Sequence, residues 1–286
     1  MSSDRKLERL LEHLRGLESV LVCYSGGVDS ALVLAAAHKA LGPSAIGMTA
    51  VSPSLAPHEL DDARFIAAQI GAEHRLVESH EIDDPSYQAN GPDRCFHCKS
   101  ELYRIAEAKK AEWKLAVVVN GTNTDDLGDY RPGLEAASRA AVRSPLVELG
   151  YTKADVRECA QELGLEVWDK PAAACLSSRL PFGTRVTRER LARVGALEAE
   201  LRTLGFRRVR VRYHELADAE QAIARIELDE AELPRAASPE VRSAIVRAGK
   251  QHGFLYVTLD LGGYRMGSHN EALAKSSSRS LPVVRS

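Results

Sequence analysis

The sequence predicts an α/β fold, a doubly wound parallel sheet followed by a smaller C-terminal α+β domain. Three observations carry this. The runs Val20–Tyr24, Ala45–Val51 and Leu115–Val119 are short and almost wholly apolar, the pattern of strands buried on both faces. Segments of helical periodicity alternate with them over the first ~170 residues. From Arg179 to Arg225 the composition then changes, to eleven arginines and six acids with no lysine.

Leu7, Leu10, Leu11, Leu14 and Leu17 recur at helical spacing among charged residues and make an amphipathic opening helix. Val20–Tyr24 is the first strand, stopped by Gly26 and Gly27, and Ser30–Leu41 is the next helix. Ala45–Val51 is the second strand. Pro57–Ile70 is a helix closed by Gly71, a residue suited to the left-handed position after a helix end. His74–Glu78 is a third strand, and the polar stretch Ser79–Arg94 leads into a helix from about His97 to Trp113. Leu115–Val119 is the strongest strand of all. Thr152 with Asp155 three residues on resembles a capping box and opens a helix to Leu163. The second part is predicted as helix Thr187–Leu204, strand Phe206–Tyr213, strand Arg225–Leu228, helix Pro239–His252 and strand Phe254–Leu259. The expected domains are 1–170 and 171–274, with a loose, flexible tail over 275–286.

With 286 residues and 44% hydrophobic content, the chain can bury a sizeable core in one or two domains. Lys and Arg total 38 against 40 Asp and Glu, so charge alone gives no nucleic-acid surface. No apolar run approaches the ~18 residues of a membrane span, and the charged first helix is no signal peptide. Five cysteines, an odd number without an export signal, argue against a disulfide framework. The expected location is cytoplasmic, with thiols used for packing, metal or catalysis.

Ser25-Gly-Gly-Val-Asp-Ser30 lies between the first strand and the following helix, where α/β sheets bind phosphate. Two glycines let the backbone approach an anion, and successive N–H groups with the helix N-terminus point at it. Ser25 and Ser30 add hydroxyls, and Asp29 can hold Mg²⁺. Neither the lysine-bearing phosphate loop of kinases nor the Gly-x-Gly-x-x-Gly dinucleotide loop is present. The segment Gly121–Gly133 follows the best strand and therefore lies on the same sheet edge. Its Asp125, Asp126 and Asp129 need metal or arginine beside a polyphosphate, and Arg131 is near in sequence. The candidate ATP-binding residues are Ser25, Gly26, Gly27, Asp29, Ser30, Thr49, Gly121 and Asp125.

Cys23 and Cys159 fall within predicted elements and read as packing residues. Cys95-Phe-His-Cys98 ends a polar loop and opens a helix, where N–H dipoles favour thiolate. Cys175 lies in Asp169-Lys-Pro-Ala-Ala-Ala-Cys-Leu-Ser-Ser-Arg179, a small-residue junction where Lys170 and Arg179 would lower a thiol pKa, as a nucleophile requires. The Cys-x-x-Cys alone admits redox, zinc or iron–sulfur chemistry. Cys95, Cys98 and Cys175 together suit a [4Fe–4S] cluster with one open iron. In Phe206–His214, Arg208, Arg210 and Arg212 share one strand face opposite Val209 and Val211, a row suited to phosphate or carboxylate. Arg225 and Arg265 end further strands and are expected to converge with the row, with Asp229 orienting one of them.

The loop Ser25–Ser30 resembles that of the pyrophosphate-loop ATPases, which split ATP between its α- and β-phosphates and attach AMP to a substrate oxygen. Over nearly the whole chain the pattern resembles the LarE-type sacrificial sulfur transferases of nickel-pincer (lactate racemase) cofactor synthesis. The resemblance rests on Ser25–Ser30, Gly121-Thr-Asn-x-Asp-Asp with Asp129-Tyr-Arg-Pro-Gly133, Lys170-Pro-Ala-x-Ala-Cys-Leu-x-Ser-Arg179, Arg210-Val-Arg212 with Ala224-Arg-Ile-Glu227, and Gly263-Tyr-Arg-x-Gly-Ser268. It implies that Mg²⁺-ATP adenylates a carboxylate of pyridinium-3,5-biscarboxylic acid mononucleotide and that Cys175 displaces AMP. The Cβ–S bond of Cys175 then breaks to leave dehydroalanine and a thiocarboxylate. It further implies that Ser178, Arg210 and Arg212 bind the substrate phosphate and that Arg265 assists near the reacting group; Arg225 is taken as a further substrate-binding residue and Asp229 as a further catalytic one from their places beside the row. Cys95 and Cys98 resemble a three-cysteine branch in which the cluster, with Cys175 as a ligand, delivers an extra sulfide. The partners implied are the pyridinium mononucleotide, further copies of the chain and transient contacts with other enzymes of the pathway.

Three rivals stand beside this expectation. A tRNA thiolase shares the loop and a Cys-x-x-Cys, but requires an RNA-binding region that the sequence does not show. An ammonia-using adenylating ligase has no need of Cys175. A nucleotide-binding regulator with a zinc knuckle binds ATP without releasing pyrophosphate.

Overall fold

A computed structural model describes residues 3–128, 132–171, 174–217 and 221–265. The chain divides into two compact units, Met1–Ser177 with Arg185–Arg188, and Ser178–Thr184 with Glu189–Ser286.

The first unit is built on four strands, β1 (Val20–Cys23), β2 (Ala45–Val51), β3 (Glu73–Glu78) and β4 (Val117–Val119), all parallel in the order β3-β2-β1-β4. Its helices are α1 (Ser3–Arg15), α2 (Val28–Leu41), α3 (Pro57–Ile70), α4 (Pro85–Gln88), α5 (Arg94–Glu112), α6 (Pro132–Arg139), α7 (Pro145–Glu148) and α8 (Lys153–Glu162). Strand side chains alternate, so the central β1 serves two layers. Val20 and Val22 join a core with Leu10 and Leu14 of α1, Val33 of α2 and Val156 of α8. Leu21 joins Ile105 and Ala106 of α5 in a separate core. Burial on both faces is why these strands read as unbroken apolar runs.

Most of the expected elements of this unit form, with differences that have local causes. The strand expected over Leu115–Val119 pairs only from Val117, because Leu115 N is spent closing α5 on Lys110 O at 2.9 Å. Helix α5 starts at Arg94 rather than His97, its first turn being too polar for periodicity to register. The capping box of α8 is present: Thr152 Oγ1 accepts from Asp155 N at 3.3 Å, and Asp155 accepts from Thr152 N at 2.9 Å. Cys159 is fully buried, as expected.

The second unit holds β5 (Val209–Glu215), β6 (Ala222–Leu228) and β7 (Tyr256–Leu259), with β5 antiparallel and β7 parallel to the central β6. Helices α9 (Arg188–Thr203), α10 (Leu233–Ala237) and α11 (Pro239–Gln251) complete the helical elements. Two strands start later than expected because an aromatic residue first closes a helix. Phe206 N bonds Leu201 O at 3.2 Å and Phe254 N bonds Gly249 O at 3.0 Å. Strand β6 begins at Ala222, three residues before the expected Arg225, pairing His214 with Ile223 and Glu215 with Ala222. Among the described residues, no helix is long and apolar enough to cross a membrane.

Candidate active site

The chain leaves β1 toward β2 on one side, while β4 lies on the other, so the loops after β1 and β4 face each other across a topological switch point. The first of these is Ser25–Ser30. Gly26 takes φ +74°, a conformation that L side chains resist, and a Cβ there would meet Ala63 Cβ at 2.9 Å. Ser30 Oγ accepts from Ser25 N at 3.2 Å, donates to Gly27 O at 3.1 Å and touches Ser25 Oγ at 3.2 Å, which fixes the turn. No side chain caps α2 at Gly27, so first-turn N–H groups remain for an anion.

In the second loop, Asn123 Nδ2 donates to Asp29 at 3.0 Å, and Lys153 Nζ donates to the same carboxylate at 2.5 Å. Asp125 accepts from Lys153 N at 3.0 Å and Asp126 from Asn123 N at 3.1 Å. Lys153 and Asn123 thus hold Asp29 by their side chains and Asp125 and Asp126 by their backbone N–H groups, and Lys153 is a residue that the sequence did not single out. Asp129 and Arg131, with Tyr130, lie outside the described residues, as do Ala172, Ala173, Met266–Ser268 and the tail over 275–286.

These loops open on a cavity of about 730 Å³, within the range of small-ligand sites. Ser25, Gly27, Asp29, Ser30, Thr49, Gly121 and Asp125 line it, whereas Gly26 shapes the loop behind it. Thr49 Oγ1 donates to Tyr24 O at 2.7 Å and meets His74 Nε2 at 2.8 Å. Buried Glu81, unremarked in the sequence, also lines the cavity and takes the Ser52 and Ser79 hydroxyls at 2.5 and 2.6 Å.

Cys98 and the exposed Cys175 line the same cavity. Cys23 lines it too, in addition to its packing role. Burial pushes the Cys98 thiol up to about 12 although Lys99 opposes it. Cys95 is exposed and is not on the cavity wall. Among the described residues, no three His, Cys, Asp or Glu side chains form a group able to hold a metal, so Cys95, Cys98 and Cys175 do not fit a cluster as they stand.

The segment bearing Cys175 is anchored on both flanks. Lys170 Nζ donates to Glu59 and Asp62 of α3, both at 2.8 Å. Leu176 N bonds Ser54 O at 2.8 Å, and the Tyr87 hydroxyl lies 2.5 Å from both Ser54 Oγ and Ser177 Oγ. Arg94, also buried, donates to Ser177 O at 2.8 Å and Asn90 Oδ1 at 2.6 Å. Lys170 and Arg179, expected to activate Cys175, are instead committed to carboxylates, Arg179 to Glu198 at 2.8 and 3.1 Å. Arg94 lies in the electrostatic field of Cys175: burial opposes its charge, Cys175 and Cys95 favour it, and its pKa is raised.

In the second unit, strand register places Arg212 opposite Arg225 and Arg210 opposite Glu227, so all four share one face. Glu227, wholly buried, takes Arg212 Nη2 at 2.8 Å and Arg225 Nη1 at 3.1 Å. Arg212 Nη1 also donates to Ser178 O at 2.9 Å, which joins two expected substrate residues. Arg210, only 7% exposed, makes no ion pair among the described residues and lies over the Tyr264 ring at 4.5 Å. Burial presses its pKa down, and the charges of Arg179 and Arg212 add to this. Of Arg225 and Arg265, one of which Asp229 is expected to orient, Arg225 is held by other acids. Asp229 faces the exposed Arg208 at 3.5 Å, while Asp260 and Glu227 hold Arg225. Arg265 folds toward Gly262, where a Cβ would lie 3.3 Å from Arg265 Nη2.

Comparison with known proteins gives one family match and three similar proteins. The asparagine synthase family matches residues 4–87. A pyridinium-3,5-bisthiocarboxylic acid mononucleotide synthase of Lactiplantibacillus plantarum is 40% identical over 95% of this chain and 96% of its own length. An uncharacterised protein of Synechocystis is 46% identical over 95% of this chain and 99% of its own. A tRNA-specific 2-thiouridylase MnmA of Rickettsia peacockii is 29% identical over 54% of this chain and 52% of its own.

Proposed function

The chain belongs to the pyridinium-3,5-bisthiocarboxylic acid mononucleotide synthase family of ATP-dependent sulfur transferases, and from that premise we propose how its residues divide the work. ATP binds in the first unit's cavity, with its phosphates on the N–H groups and hydroxyls of Ser25–Ser30. Asp29 and Asp125 offer hard carboxylate oxygens of the kind Mg²⁺ takes alongside phosphates, and the ion would supply neutralising charge there. A substrate carboxylate oxygen attacks the α-phosphorus and pyrophosphate leaves. The Cys175 thiolate attacks the resulting carbonyl and AMP leaves, forming a thioester. Loss of the Cys175 Cα proton and cleavage of its Cβ–S bond leave dehydroalanine and the thiocarboxylate. Arg210, Arg212, Arg225 and Ser178 bind the mononucleotide's anionic groups, and Arg265 assists near them.

The observation that carries this reading is that Cys175 and the phosphate loop line one cavity. Similarity to the tRNA thiolase covers only about half of each chain, which makes that rival the weaker one. The test is to incubate the full chain with Mg²⁺, ATP and the pyridinium substrate, then weigh product and protein. Thiocarboxylate product with loss of one H₂S at Cys175 is expected. Product formed with the protein mass unchanged, or product formed by Cys175→Ala, overturns the sacrificial role.

A further inference from the structure

Among the described residues, six charged side chains line the cavity: Asp29, Glu81, Lys99, Asp125, Asp126 and Lys153. Five are satisfied within the protein. Asp29 is held by Asn123 and Lys153, Glu81 by two serine hydroxyls, and Asp125 and Asp126 by backbone N–H groups. Lys99 is the exception: its ammonium has no hydrogen bond or ion pair among the described residues. It stands on the first turns of α5, with its stem against Gly133, where a Cβ would meet Lys99 Cγ at 3.0 Å. Its charge reaches Cys23, the last residue of β1, two positions before Ser25.

The phosphate loop contains no lysine, and Lys153 is already neutralised by Asp29. Among the described residues, four acids against two bases make the lining net negative, which opposes a polyphosphate. A lysine ammonium is a point charge with three donors, suited to phosphate oxygens that shift during reaction. We propose that Lys99 is the polyphosphate-binding cation of this cavity, holding the β- and γ-phosphate oxygens of ATP until they leave as pyrophosphate. The proposal rests on the adenylation reading above and adds a residue to it.

Equilibrium binding of ATP, inorganic pyrophosphate and AMP to the full-length chain tests it, with Lys99→Met and Lys99→Arg as variants. Lys99→Met is expected to weaken ATP and pyrophosphate by about tenfold or more, the size of a lost charged hydrogen bond, and to leave AMP unchanged. Lys99→Arg is expected to restore most of the loss. Unchanged ATP and pyrophosphate affinity in Lys99→Met overturns the proposal. So does an equal loss for AMP, which marks a structural role. Thiocarboxylate formation by the unaltered chain reports separately on the underlying reading. Product with an ATP affinity indifferent to Lys99→Met sinks Lys99 alone, and an unaltered chain that binds no ATP sinks both.

Discussion

Gly121 sits directly against the backbone of Ser30: a Cβ at position 121 would lie 2.6 Å from Ser30 N. The loops after β4 and β1 are therefore in contact, and the fit depends on a missing side chain. Gly121→Ala pushes one loop off the other at the point where phosphate is expected to bind. Overpacking of this kind costs about 1–3 kcal/mol. The expected outcome is a lowered melting temperature and at least about tenfold weaker ATP binding. A variant with unchanged ATP affinity would show that the two loops can part without consequence.

The parts of this molecule legible in its sequence are those whose physics is local. Unbroken apolar runs marked β1 and β2, the Thr152–Asp155 pair marked the start of α8, and glycines with flanking serines marked the loop at Ser25–Ser30. The illegible parts depend on partners distant along the chain. Lys170 and Arg179 flank Cys175 and looked available to it, yet Glu59 and Asp62 lie over a hundred positions from one, and Glu198 holds the other. Glu227 is one acid among many until strand register sets it opposite Arg210 and between Arg212 and Arg225. Arg94 closes a polar stretch with no periodicity, so nothing local hints that it is buried against Ser177 O.

Arg94 holds the Cys175 segment by its carbonyl at Ser177, and Tyr87 holds the adjacent hydroxyl. Replacing Arg94 by Met removes a charged donor from a buried site and costs about 1.5–3 kcal/mol. The expected outcome is slower thioester formation with unchanged ATP affinity, because no ATP candidate residue depends on Arg94. Single-turnover kinetics beside ATP binding separate the two. Equal loss of both would mean that Arg94 supports the whole cavity.

Arg179 and Glu198 form a two-bond pair whose side chains are 6% and 2% exposed, and Glu198 also accepts from Val211 N at 2.9 Å. Removing one partner leaves an uncompensated buried charge. Glu198→Ala is therefore expected to destabilise the chain by about 3–5 kcal/mol, and Arg179→Met combined with it by less. Urea unfolding of both variants checks this, and strict additivity would argue against the pair acting as a unit.

Lys170 and Glu59 give the anchor before Cys175 a defined pH response. Burial alone would raise the Glu59 pKa, but hydrogen bonds from His58 and Lys170 overcome it and hold the group at about 2, against an ordinary 4.5. A carboxyl depressed in the folded state contributes stability that is fully present above its unfolded pKa and lost as pH falls through the folded one. Glu59→Gln deletes that contribution. Its destabilisation relative to the unaltered chain, measured by urea unfolding, is expected to be largest above about pH 4.5 and to shrink steadily toward pH 2. Protease cleavage near Lys170 should follow the same window in the unaltered chain and be elevated at all pH values in the variant. A gap between the two proteins that stays constant with pH would mean that Lys170 is held by Asp62 alone.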